Sequence, residues 1–234
     1  MKLKITLYSV CLLMLLAACQ QDGPTPEPSV GSRTVLVYMI AQNSLAPLAS
    51  ADIEEMKEGM RQVDATSGNL LVYIDDYSAP RLIRLGKDKK GKVVEETIEN
   101  YPEQNSADAN VMKKVISTAF NQYKAEKYGM VFWSHGEGWI PSPAKTRWFG
   151  QDGNNYMDIA DLHAALQVAP DLDFLFFDAC FMEAVEVGVC VARLRKLPDQ
   201  FAYRDSGAGR SLSDSGSRDV FCRKCSFEDR FLLL

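Results

Sequence analysis

The chain has 234 residues, 47% of them hydrophobic and 24% charged, with a formal net charge of −5. That length and apolar content fit one globular domain with a sizeable core. The acidic balance argues against nucleic acid as a partner, and six cysteines are too few to suggest a disulfide-built scaffold.

Lys2 and Lys4 precede an apolar stretch from Ile5 to Leu16, followed by Leu16-Ala17-Ala18-Cys19. A basic start, a short apolar core and small residues before a cut describe an export signal, and the stretch is too short for a membrane span. The four residues ending at Cys19 resemble a bacterial lipobox. That resemblance implies cleavage before Cys19 and diacylglycerol on its sulfur. The competing reading is an ordinary signal peptide with an incidental cysteine. Residues 1–18 are thus expected to be a lipoprotein signal. Residues 19–32, with Pro24, Pro26 and Pro28, are expected to be a disordered tether. Losing Lys2 and Lys4 would take the net charge from −5 to −7. The expected location is the bacterial cell envelope, anchored by lipid to the outer membrane.

Thr34–Ala41 (TVLVYMIA) and Asn69–Asp75 (NLLVYID) read as buried strands, with a helix between them over Ala49–Val63. Arg81–Leu85 and Lys92–Ile98 flank a charged, glycine-bearing turn and read as an exposed hairpin. Ala109–Tyr123 has Val111, Val115, Ala119 and Tyr123 at helical spacing. Tyr128–Trp133 reads as the third sheet strand. A long loop is expected over Gly136–Tyr156, then a helix over Met157–Val168 and a fourth strand over Leu172–Phe177. The next helix is expected to begin at Phe181–Val187. Strands alternating with helices predict a mainly parallel sheet covered on both faces, an α/β/α sandwich.

Two apolar runs end in chemistry. Ser134-His135-Gly136 follows the third strand and Asp178-Ala179-Cys180 follows the fourth, with 45 residues from His135 to Cys180. Reactive groups of open α/β sheets gather at the carboxyl ends of strands. Only His135 and His163 are available as imidazole bases. A thiol has a pKa of about 8.5, so it needs help to become the nucleophilic thiolate. Cys180 is expected at a helix start, where the dipole favours the anion. His135 can protonate a leaving amine and then activate water. Gly136 has no side chain, so its N–H can approach a tetrahedral oxyanion, with the Cys180 N–H as second donor.

The segment Val131-Phe132-Trp133-Ser134-His135-Gly136-Glu137-Gly138-Trp139 resembles the histidine motif of clostripain-like cysteine peptidases. Phe177-Asp178-Ala179-Cys180-Phe181-Met182-Glu183-Ala184-Val185-Glu186-Val187 resembles their nucleophile motif. Tyr38-Met39-Ile40-Ala41 with Asn43-Ser44-Leu45, and Gln104-Asn105-Ser106-Ala107-Asp108, fall in the same order. The likeness spans about Arg33 to Val187. It implies a caspase-like fold over residues 33–196 and an exported endopeptidase that cuts protein or peptide substrates after Arg or Lys. It also implies that Asp178 helps form an acidic pocket for the substrate's basic side chain. A strand-ending or helix-capping role competes for Asp178. Processing of the loop Pro141–Gly150 at Lys145 or Arg147 is implied in the same way.

Other residues read more plainly. His163 falls on a helix as a surface or packing residue, and Trp133 and Trp139 as core or pocket wall. Asp152, Asn154, Asn155 and Asp158 could hold calcium. Their commoner reading is a polar turn with a helix cap, and no cofactor is expected.

After about Val187 the character changes. Residues 188–234 carry seven Arg, two Lys and six acidic side chains, a net +3. Residues 1–187 carry five Arg and twelve Lys. No further strand is expected there, which would leave the fourth strand as a bare apolar edge and the sheet incomplete at the C-terminus. Residues 197–234 read as an atypical tail. A frame-shifted reading, a divergent disordered end, or half a metal site at Cys222–Cys225 are the explanations; the Lys-to-Arg inversion favours the first. The functional alternatives are therefore an active peptidase, an inactive truncated lipoprotein or binding module of the same fold, and a Cys-His hydrolase of small amides or esters.

Overall fold

A computed structural model describes residues 33–64, 68–137 and 147–182, and the strand at 201–204. The signal, the tether with Cys19, Trp139, Lys145 and the tail apart from that strand lie outside the described residues. The elements are β1 (Arg33–Ile40), α1 (Ala46–Gln62), β2 (Gly68–Asp75), β3 (Arg81–Lys87), β4 (Val93–Asn100) and α2 (Ala109–Gln122). Then follow β5 (Lys127–Trp133), β6 (Trp148–Asp152), β7 (Asn155–Asp158), α3 (Ile159–Leu166), β8 (Phe174–Asp178) and β9 (Phe201–Arg204).

Seven strands form one sheet in the order β4-β3-β2-β1-β5-β8-β9. The five from β2 to β9 run parallel; β3 and β4 add an antiparallel hairpin at one edge. The chain leaves β1 toward β2 on one side and later returns to β5 on the other. The topological switch point therefore lies between β1 and β5, where open sheets form their carboxyl-end crevice.

Both faces are covered because β1 is an unbroken apolar run from Val35 to Ile40. Leu36, Tyr38 and Ile40 point into one core with α2 and α3, while Val35, Val37 and Met39 point into the other with α1. On α1 the buried residues are Ala49, Ile53, Met56, Gly59 and Met60, a helical stripe. The helix starts earlier than its apolar pattern, because Pro47 is tolerated in a first turn. Asp108 caps α2 by accepting the Asn110 and Val111 N–H groups, and Asp158 caps α3 by accepting that of Ala160.

Four expectations are corrected. The supposed loop over Gly136–Tyr156 contains the β6–β7 hairpin, whose strands are too short and polar to show a period. Its two-residue turn, Gly153-Asn154, needs the positive φ of 54° that glycine supplies. The third helix is shorter than predicted, since Met157 pairs in the hairpin and Asp158 is the cap. No helix begins at Phe181, whose φ of 59° is left-handed; residues 183–187 lie outside the described residues. The tail does supply a strand: Leu175–Asp178 pair parallel with Phe201–Arg204, so β8 is not a bare edge. Its four residues, FAYR, are hidden in an arginine-rich composition. Among the described residues no helix is long and apolar enough to cross a membrane.

Candidate active site

The register of β5 and β8 places Trp133 opposite Asp178. His135 and Cys180 each lie two residues beyond that pair, so both leave the same edge of the sheet on neighbouring loops. The loops touch through Gly136. A Cβ added there would lie 2.9 Å from the Cys180 carbonyl oxygen, 3.2 Å from Met182 Sδ and 3.3 Å from Met182 Cγ. Glycine is needed for this close approach, whatever its φ. Cys180 is half-buried and in no disulfide.

Hairpin β6–β7 holds the histidine loop from the other side. Gly136 bridges Phe149; the Glu137 N–H donates to the Trp148 carbonyl at 3.1 Å, and the Gly150 N–H to the His135 carbonyl at 2.9 Å. These two bonds belong to the flanking residues, so Gly136's own N–H faces away from β6. Beneath the loops lies an aromatic floor. Phe132 of β5 is 5.2 Å from Phe149 of β6 and 5.3 Å from Phe177 of β8, and Phe149 is 5.5 Å from Phe177.

The loop after β1 joins them across the switch point. Ser134 Oγ donates to the Ile40 carbonyl at 2.7 Å and accepts the Gln151 N–H at 3.1 Å. Asn43 Nδ2 donates to the carbonyls of Ile40 at 3.0 Å and Gln151 at 2.7 Å, and its Oδ1 accepts the Leu45 N–H at 2.8 Å. Ser44 Oγ is 2.8 Å from His135 Nε2. Partial burial lowers the His135 pKa below the ordinary 6.5, because the imidazolium loses hydration. Trp133 is 5% exposed and donates its indole N–H to Asp52 on α1 at 2.6 Å, so it is core, as expected.

A buried acid network supports this edge. Ser106 Oγ donates to Asp75 Oδ2, while the Ser106 N–H donates to Asp152 Oδ2 at 2.6 Å. Tyr73 OH reaches Ser106 Oγ at 2.6 Å and Tyr38 OH donates to the Ser106 carbonyl at 3.0 Å. Burial pushes the Asp75 pKa up to about 7, with nearby Asp152, Glu103 and Asp76 adding to the effect. The Asp152 pKa is raised, again chiefly by burial. The network fastens β2, the loop before α2 and the end of β6 to one another.

Of the residues singled out by sequence, Gly136 meets the Cys180 backbone, and His135 precedes it on the same loop. Asp178 ends β8 beside them, half-buried. Arg147 is exposed at the start of β6, and its carbonyl accepts the Ile159 N–H at 2.9 Å. His163 lies on α3, paired with the Gln167 amide at 3.1 Å. Asp158 serves as the helix cap, and Asp152 turns inward to Ser106. Ser44 and Ser134 had no assigned role, although both lie inside motifs already visible. Asp75, Ser106 and Asp152 are far apart in sequence, and only the fold shows them as one group.

The Clostripain family model matches residues 37–200. Clostripain of Hathewaya histolytica is 28% identical over 184 residues, which are 66% of this chain and 35% of that protein. Among solved structures, a secreted C11 cysteine protease from Bacteroides thetaiotaomicron, in complex with an irreversible peptide inhibitor, matches at 53% identity with a TM-score of 0.66. The match covers 73% of this chain and 48% of that one. An inactive zymogen C11 protease from Parabacteroides distasonis matches at 34% identity with a TM-score of 0.60, covering 71% and 47%. The chain thus spans about a third to a half of the length of these relatives.

Proposed function

Because the chain belongs to the clostripain family of cysteine peptidases, with its caspase-like fold, we propose that it is a cysteine endopeptidase working through Cys180 and His135. The observation that carries this reading is the contact of the two strand-end loops through Gly136, with the Gly136 Cβ position 2.9 Å from the Cys180 carbonyl.

In the mechanism that follows, the Cys180 thiol gives its proton to His135, and the sulfur attacks the substrate carbonyl carbon. The oxyanion so formed is met by the N–H groups of Gly136 and Cys180. His135 returns the proton to the departing amine as the C–N bond breaks, leaving a thioester on Cys180. A water then gives His135 a proton and attacks the thioester, and Cys180 leaves as a thiol. Asp178, at the end of β8, supplies negative charge for an Arg or Lys side chain on the substrate. The Leu16–Cys19 motif supports export and lipid anchoring, and the Bacteroides relative is itself described as secreted. Cys19→Ser should then shift the protein from the membrane to the soluble fraction.

The test is cleavage of a fluorogenic Arg peptide together with iodoacetamide labelling. Cys180→Ala should abolish both cleavage and labelling at that site, and His135→Ala should lower cleavage about 10²–10⁴-fold. His163→Ala should leave cleavage unchanged. A wild-type chain that neither cleaves nor labels at Cys180 would instead support an inactive member or binding module. Turnover of simple esters without Arg preference would support the small-substrate hydrolase.

A further inference from the structure

We propose that Ser44 is a positioning residue for His135. Its hydroxyl accepts the Nε2 proton, so that Nδ1 is the nitrogen that exchanges a proton with Cys180. This rests on the Cys-His reading above and goes beyond it by naming which ring nitrogen does the chemistry and what fixes that choice.

The geometry comes from both sides of the switch point. Ser44 Oγ and His135 Nε2 are 2.8 Å apart although 91 residues separate them in sequence. A hydroxyl on an exposed turn contributes orientation only if the turn is itself held. Here Asn43, 5% exposed, holds that turn with its amide on the Ile40 and Gln151 carbonyls and its oxygen on the Leu45 N–H. The Ala46 N–H adds a bond to the Asn43 carbonyl at 3.2 Å. The histidine is held independently, through the Gly150 N–H on its carbonyl and the buried Ser134 hydroxyl between Ile40 and Gln151. Two rigid segments therefore present one hydroxyl to one ring nitrogen.

The chemical consequence follows from the donor inventory of imidazole. A neutral ring carries one N–H, and whichever nitrogen is committed as donor leaves the other as base. With Nε2–H given to Ser44, the lone pair sits on Nδ1. When the Cys180 proton moves to Nδ1, the imidazolium keeps its Nε2–H on Ser44 in a charge-assisted bond, which is stronger than the neutral one. Ser44 thereby favours both the correct tautomer and the ion pair that makes the thiolate.

Two histidines make the test tractable. Ring-¹⁵N-labelled full chain is examined by NMR at pH 8, and His163→Gln assigns the remaining signals to His135. The wild type should show the Nε2–H tautomer at His135. Ser44→Ala should lose that preference, and Ser44→Thr, which keeps the hydroxyl, should retain it. Iodoacetamide alkylation of Cys180 at pH 6.5 should fall about 10-fold in Ser44→Ala, as expected for losing a hydrogen bond to a charged group, and recover in Ser44→Thr. Thermal melting of all three should agree, since Ser44 is exposed. A wild type with the proton on Nδ1, or a Ser44→Ala variant with unchanged ring shifts and alkylation, overturns the proposal. Failure of the underlying dyad looks different. Alkylation of Cys180 would then ignore His135→Ala, while the tautomer measurement would still decide the role of Ser44.

Discussion

Replacing Gly136 by alanine places one methyl group at the contact on which the site depends. Its Cβ would lie 2.9 Å from the Cys180 carbonyl oxygen, whereas ordinary contact begins at 3.4 Å. About 0.5 Å of separation has to be found. Met182 can yield its sulfur by rotation, but the Cys180 oxygen is backbone. Gly136 is pinned by the Glu137 and Gly150 hydrogen bonds on either side, so the cysteine loop has to move. A 1 Å misplacement costs roughly 10²-fold in rate, so half of that should lower Cys180 alkylation and peptide cleavage about 10-fold. The overpacking should also lower stability by about 1–3 kcal/mol. Gly68→Ala is the control. Its Cβ would run into the Arg33 carbonyl oxygen, at the opposite end of the strands. It should lower the melting temperature while the folded protein keeps its Cys180 reactivity. Iodoacetamide kinetics and thermal melts of both variants are the assay. If Gly136→Ala melts and alkylates like the wild type, the loops are not packed as described. If Gly68→Ala slows alkylation equally, the effect is general destabilisation and the argument from contact fails.

Asp178→Ala should leave iodoacetamide alkylation within about twofold but lower Arg-peptide cleavage about 10²-fold, as for removal of one partner of an interfacial charge pair; equal loss in both assays would place its role in the fold instead. Self-cleavage, if it occurs, should be stopped by Lys145→Ala and not by Arg147→Ala, because the Arg147 carbonyl is already held by the Ile159 N–H. On a denaturing gel two fragments should appear, and they should co-elute on a native column because β5 and β8 are neighbours in one sheet. Asp75 carries a folded pKa of about 7 against 3.8 for the free side chain, so its contribution to stability is full below about 3.8 and is lost as pH rises through about 7. Asp75→Asn removes that penalty and should gain about 2 kcal/mol at pH 8, after discounting for partial exposure, and roughly a third of that at pH 5. Melting curves that shift equally at both pH values would contradict a carboxylate titrating in this range.

The parallel strands were legible because burial on both faces forces an unbroken apolar run. VLVYMI in β1 and LLVYI in β2 carry that signature without any partner being known. The hairpin β6–β7 was not, since WFGQD and NYMD bury only part of each strand and hold a polar turn. Even so, Gly153-Asn154 carried the turn chemistry, and a reading that weighted it above the surrounding prolines and glycines would have recovered the hairpin. Strand β9 failed for a different reason. Four residues pair with β8, and a composition argument over 47 residues has no resolution at that scale.

At the site, sequence could mark the residues proposed to react but not those that hold them. His135 and Cys180 follow apolar strands and stand out by their scarcity and chemistry. Ser44, Ser134 and Asn43 are ordinary polar residues in loops, and their value appears only when β1, β5 and β6 are brought together. The fold explains why support has to come from these elements. A strand-end loop at the switch point has a neighbouring strand on one side and a crevice on the other, so its backbone groups lack half their partners. In this chain the hairpin supplies them: Trp148 and Gly150 bond the histidine loop, and Gln151 joins Asn43 and Ser134 to it. The element that sequence missed is thus the one that keeps the histidine loop rigid, while the acid network around Ser106 anchors the end of that same hairpin through Asp152. Loosening that anchor should be felt first in the orientation of His135 and only then in the sheet, because the aromatic floor of Phe132, Phe149 and Phe177 secures the strands independently.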